Sequence, residues 1–230
     1  MSTEKPAIER IRFDLQIIES WIEPGSSVLD LGCGEGDLLH YLTHHKSVSG
    51  TGIERNESKV VRCIEKGLSV IQGDINEEIG DYPDNRFDYV VLSQTLQQVY
   101  DPSTLLHAML RVGARGIVSF PNFNHWRIRL QVLLTGRAPV TRTLPYQWYD
   151  TPNIRVLSIQ DFFDYCRREK IAIVHQRYLM GGRWVKRLFW KRAVNLLAHI
   201  GLFVITRSDS GASTAPWRMP HSFESTVNAP

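Results

Sequence analysis

The chain has 230 residues, 43% hydrophobic and 22% charged, with a formal net charge of +3. That size suits one globular domain with a full core and excludes two independent domains of comparable core. A charge excess spread so thinly gives no ground for a nucleic-acid partner, and none is expected.

Cys33, Cys63 and Cys166 lie far apart and form no C-x-x-C pair, so no complete disulfide framework closes. Free thiols in a reducing, cytoplasmic setting are the expectation. The stretch from Met1 to Trp21 mixes charged residues among apolar ones and lacks the apolar core of a signal peptide.

In chain order, Ile8, Ile11, Leu15, Ile18 and Ile22 recur at helical spacing and predict an amphipathic helix ending before Pro24-Gly25. Ser27 to Leu31 reads as a short strand, and a glycine loop leads into a helix over Asp37 to His45. Val48 to Ile53 is the second expected strand, followed by Asn56 as N-cap of a helix to Lys66 with Gly67 at its end. Leu68 to Gln72 and Phe87 to Leu92 are the third and fourth strands. Asp101-Pro102 places a cap and a first-position proline before a helix through Arg111, and Gly116 to Phe120 is the fifth strand.

From Pro121 to Pro152 the periodicity weakens, and an aromatic and arginine-rich insertion is expected, either covering a ligand site or packing as a plain loop. Ser158-Ile159-Gln160-Asp161 has the form of a capping box, and Ile171 to Tyr178 and Leu202 to Thr206 are the last two strands. The apolar run Leu196 to Ile205 is about half of the ~20 residues a spanning helix needs, so a buried strand and no membrane span are expected. Residues 1–207 are expected to form one domain, and 208–230 a disordered tail. Strands alternating with helices predict an α/β fold: a doubly wound, mostly parallel seven-stranded sheet with an insertion after the fifth strand.

The chemistry concentrates in Asp30-Leu31-Gly32-Cys33-Gly34-Glu35-Gly36, between a strand and a helix. Gly32 and Gly34 let the backbone approach a flat polar ligand, Asp30 is placed to orient the loop amides, and Gly36 lets the next helix pack closely. Glu54 stands about 20 residues on, where a carboxylate accepts ribose hydroxyls; the other reading is a surface carboxylate paired with Arg55 or Lys59. Gly73-Asp74-Ile75 offers an acceptor for an adenine amino group and an apolar cover for the ring, or else a simple turn. A dinucleotide favours G-x-G-x-x-G, whereas here Asp37 takes the last glycine's place and would repel a pyrophosphate. S-adenosylmethionine, or S-adenosylhomocysteine, tolerates that acidity and is the expected cofactor.

These residues resemble the class I methyltransferase superfamily over Val28 to Pro121, and the resemblance adds Cys33 and Ser93 to the expected cofactor contacts. A longer set is similar to the MetW family of bacterial methionine-biosynthesis proteins: Glu35-Gly36-Asp37-Leu38-Leu39, Gln94 to Val99, Phe120-Pro121-Asn122-Phe123 with His125-Trp126, and Leu144 to Asn153. That resemblance implies a partner or activating subunit of a MetX-type homoserine O-acyltransferase; the alternative is a self-sufficient methyltransferase acting on a small molecule. Ser93-Gln94-Thr95-Leu96-Gln97-Gln98 contains no base effective near neutral pH, so no catalytic residue is assigned. His125 and Tyr146 stand as acceptor-side groups or as packing residues. The run Arg183 to Arg192, basic and aromatic, fits aromatics packed on the sheet with solvated charges, an acidic protein partner, or membrane headgroups or RNA.

Overall fold

The computed structural model describes residues 13–141, 144–185 and 191–208. Its strands are β1 Ser27–Leu31, β2 Ser49–Glu54, β3 Ser69–Gln72, β4 Phe87–Ser93, β5 Gly113–Pro121, β6 Ile171–Met180, β7 Arg183–Val185 and β8 Ile200–Arg207. The helices are α1 Phe13–Trp21, α2 Asp37–Lys46, α3 Glu57–Glu65, α4 Ile75–Glu78, α5 Pro102–Val112, α6 Trp126–Thr135, α7 Ile159–Arg168 and α8 Lys191–Leu197.

The strands form one sheet in the order β3-β2-β1-β4-β5-β8-β6-β7. β1 pairs in parallel with both β2 and β4, so the chain winds outward in two directions from β1. A ligand crevice is expected outside the carboxyl ends of strands at such a switch point. β8 inserts antiparallel between β5 and β6. All seven expected strands are present, and the three-residue β7 extends the β6 edge as an eighth.

Strand residues divide by parity between two cores. Val28, Tyr89, Val91, Ile117 and Val204 pack with Leu15, Ile18 and Leu42 of α1 and α2. Leu29, Val90, Leu92, Val118 and Phe203 pack with Leu106 and Met109 of α5 and with Phe162 of α7. Burial on both faces explains why these strands read as continuous apolar runs rather than alternating ones.

The local start signals are realised. Asn56 caps α3 through the Lys59 amide, Asp101 caps α5 through Thr104 with Pro102 at its first turn, and Ser158 and Asp161 form a reciprocal capping box on α7. Of the expected first helix, Leu15 and Ile18 are buried in α1 and Ile22 just beyond it, while Ile8 and Ile11 lie outside the described residues.

Two stretches differ from expectation. The insertion holds a ten-residue helix, α6, rather than irregular chain throughout. The apolar run from Leu196 is a strand only from Ile200; Leu196 and Leu197 end α8. Of the basic aromatic run, Arg183 to Val185 form β7, and residues 186–190 and the tail from 209 lie outside the described residues. No described helix is long and apolar enough to cross a membrane.

Candidate functional site

The loop from Gly32 to Gly36 sits at the carboxyl end of β1. Gly32, Gly34 and Gly36 all have positive φ, at 74°, 61° and 75°. An L side chain rarely adopts that region, so the turn depends on glycine. The Gly32 and Cys33 amides both donate to the Ile53 carbonyl, at 2.8 and 3.1 Å, pinning the loop to the end of β2.

Glu54 completes the pinning. It is 8% exposed, its Oε2 accepts the Gly34 amide at 2.9 Å, and its Oε1 accepts the Asn56 amide at 2.8 Å. It is therefore a structural member of the loop, not a surface carboxylate paired with Arg55 or Lys59. An ionised carboxylate offers about four lone-pair sites, so acceptor capacity remains on each oxygen. A Cβ built on Gly34 meets nothing within 4 Å, so this edge of the loop faces open space.

The cysteines turn the other way. Cys63 of α3 donates its thiol to the Gly34 carbonyl at 3.3 Å, and Cys33 lies against Cys63 and against Gly52 of β2. Burial, then the nearby Asp30 carboxylate, pushes the Cys33 thiol far up, so it stays protonated. Gly36 packs on α3 and on Leu68, just ahead of β3, rather than on β1, because a Cβ there would collide with Leu68 and lie 2.9 Å from Cys63 Sγ.

The acidic side chains Glu35 and Asp37 also have partners on α3 and at its C-cap. Arg62 pairs with Glu35, and Lys66 Nζ donates to Asp37 Oδ1 at 2.6 Å. Asp30 is buried at the end of β1. At the end of β3, Asp74 caps α4, and both of its hydrogen bonds, from the Asn76 amide and Nδ2, fall on Oδ1. Oδ2 accepts none among the described residues, and Ile75 beside it is half-buried against the core.

At the end of β4 the polar groups are turned inward. The Ser93 hydroxyl donates to Asp14 Oδ2 at 3.1 Å and meets the Ser119 hydroxyl at 3.1 Å. Gln94, at φ 53°, donates its side-chain amide to the same Asp14 oxygen at 2.8 Å and its backbone amide to Ser119 Oγ at 3.0 Å. Asp14 comes from α1 and is buried. No local pattern marks it, because its partners are 79 and 80 positions away.

The insertion returns over this end of the sheet. The Ile154 and Arg155 amides both donate to the Gln97 carbonyl at 3.0 Å, and the Phe123 amide donates to the Leu157 carbonyl at 3.1 Å. Gln97 Oε1 is buried beneath and accepts no bond among the described residues. His125 caps α6 through the Arg127 amide and stacks on His199, ring centroids 3.9 Å apart. Burial, then His199 and Arg127, lowers its pKa to about 4. It is a neutral packing histidine at physiological pH, and Tyr146 is exposed. No described cluster of three or more His, Cys, Asp or Glu could hold a metal ion.

A pinned glycine loop, a buried carboxylate with lone pairs to spare and a second acceptor at the end of β3 match what a nucleoside requires. The sequence profile described as "Methionine biosynthesis protein MetW" matches residues 12–205. The chain belongs to the MetW family. It is 34% identical over 177 residues to the "Bifunctional methionine biosynthesis protein MetXA/MetW" of Rhodopirellula baltica, covering 73% of this chain and 28% of that relative. A more distant relative, the "Ubiquinone biosynthesis O-methyltransferase" of Proteus mirabilis, is 28% identical over 132 residues, covering 55% of this chain and 54% of its own. Among solved structures, an S-adenosylmethionine dependent methyltransferase from Mesorhizobium loti superposes with a TM-score of 0.60 at 16% identity, covering 84% of this chain and 96% of that one. That likeness concerns the fold, which for the family is the Rossmann-like class I methyltransferase fold.

Proposed function

We propose that this MetW-family chain binds S-adenosylmethionine at the β1–α2 loop and acts as a partner subunit of a MetX-type homoserine O-acyltransferase. Glu54 would take the ribose hydroxyls on its remaining lone pairs, Asp74 Oδ2 the adenine amino group, Ile75 the ring face, and the open edge at Gly34 the methionyl backbone groups. The cradle fits this ligand: the glycines leave room and the carboxylates have acceptor capacity. When bound, the cofactor would supply an electrophilic methyl group.

The observation that carries the reading is the pairing of this cradle with a β4 end whose polar groups bind one another. Ser93 and Gln94 are both engaged with Asp14, and neither is a base. Such a site favours retention of the cofactor over its turnover. The acyltransferase partner draws support from the relative whose name joins MetXA and MetW in one polypeptide. A cofactor-binding subunit can then modulate acylation only if it binds the cofactor with different affinity in the two states of the complex.

The second reading, a self-sufficient small-molecule methyltransferase, is favoured by Asp14, a carboxylate at the strand ends that could accept a proton if released from Ser93 and Gln94. Calorimetric binding together with an assay of S-adenosylhomocysteine on the purified chain separates the two. Saturable binding of S-adenosylmethionine, with no S-adenosylhomocysteine accumulating over hours with cell-extract metabolites, is expected; steady turnover would transfer the assignment to the methyltransferase.

A further inference from the structure

Helix α6 carries apolar residues on more than one side, and one stripe of them faces away from the protein. Its buried residue is Ile128. On the opposite side, Trp126, Leu130, Leu133 and Leu134 recur at i, i+4, i+7 and i+8, the spacing by which a helix ordinarily seats itself on a core. Here they are 40%, 43%, 80% and 73% exposed.

The four put roughly 400 Å² of apolar surface into solvent, about half of the ~800 Å² each partner contributes to a standard protein interface. Isolated exposed leucines need no explanation, but a contiguous stripe of this extent has the size of the patches that often serve an interaction. Arg127 and Arg129 fall on the two flanks of the stripe by helical rotation, the first with its guanidinium 5.3 Å from the Trp126 ring centroid. Between Asn122 and Tyr149 the sequence carries Arg127, Arg129, Arg137 and Arg142 and not one Asp or Glu.

The helix is held at its base. His125 caps it and stacks on His199, and the Asn122 side-chain Nδ2 donates to the carbonyls of Asn195 and Ala198 at 2.8 Å. The stripe is therefore presented from a fixed start rather than from a free loop.

We infer that α6 is the docking element for the acyltransferase, laid stripe-first into an apolar groove on that enzyme whose rim carries carboxylates opposite Arg127 and Arg129. This rests on the functional reading given above. An apolar helix face with anchors at this spacing is a recurring mode of helix-in-groove recognition. The charge pattern selects an anionic counterpart and disfavours a second copy of the same cationic face, because like charges would meet across it. An anionic membrane surface shares the charge logic, but α6 is short and anchored at one end, and a relative joining both names in one chain favours a protein groove.

The test uses the full chain and the purified homoserine O-acyltransferase of the same organism. In the double variant Leu133→Asp, Leu134→Asp, both side chains are already mostly in solvent, so thermal midpoint and S-adenosylmethionine affinity are expected to match wild type. Affinity for the acyltransferase by surface plasmon resonance is expected to fall at least about 100-fold, as for paired central anchors, with stimulation of acylation lost. Wild-type affinity in the folded variant overturns the inference and leaves the functional reading standing. No binding by the wild-type chain overturns both. Vesicles of phosphatidylglycerol and a self-association assay complete the set: if the variant loses only vesicle binding or only dimerisation, the stripe serves a membrane or a second copy, and the inference fails.

Discussion

Replacing Glu54 by glutamine is expected to weaken S-adenosylmethionine binding at least about 100-fold, nearly as much as replacing it by alanine. Both carboxylate oxygens accept a backbone amide, from Gly34 and from Asn56. An amide side chain satisfies one and turns its own NH2 toward the other, so the isosteric change opens one side of the pin. It also removes the negative charge from hydrogen bonds of the kind worth about 1.5–3 kcal/mol each, where every 1.4 kcal/mol is tenfold in affinity. The thermal midpoint of the unliganded protein should fall by only a few degrees, because the loop rim stays open to water. Calorimetric titration of both variants beside wild type reads the first effect, and a thermal melt reads the second. A glutamine variant binding like wild type would assign Glu54 to loop structure alone.

The largest loss of stability is expected from Gly36→Val. The residue holds φ at 75°, and a Cβ there collides with Leu68 and lies 2.9 Å from Cys63 Sγ. Left-handed backbone costs an L residue roughly 1–2 kcal/mol, and forced overpacking adds about 1–3 kcal/mol. For a chain of this size the sum corresponds to a drop of about 10 °C in thermal midpoint. Gly34→Val shares the backbone cost but meets open space, so its melt should lie between that variant and wild type while its cofactor binding suffers more. Equal melts for the two valine variants would contradict the packing assigned to Gly36.

These contrasts show what could be read from sequence and what could not. The glycine loop, Glu54, and the caps at Asn56, Asp101 and Ser158 were legible because each rests on bonds spanning a few residues or on the fixed geometry of a strand-loop-helix unit. The inner polar cluster was not, since Asp14 meets Ser93 and Gln94 only after α1 docks across the end of β4. Nor could the sequence show that the Cys33 thiol turns beneath the loop to Cys63, or that Glu35 and Asp37 are held by Arg62 and Lys66. Helix α6 escaped for a different reason. Trp126, Ile128, Leu130 and Val132 alternate at period two, which imitates a strand and hides the helical stripe. A helix turning its apolar stripe outward lacks the one-sided burial that periodicity arguments assume.

The partner-subunit role is tested most directly by homoserine acylation by the acyltransferase of the same organism, alone and with the purified chain, with and without S-adenosylmethionine, while S-adenosylhomocysteine is monitored. Stimulated acylation that responds to the cofactor, with no methyl turnover, is the predicted result. Acylation unchanged by the chain, together with steady formation of S-adenosylhomocysteine, would contradict it and make the protein an independent methyltransferase.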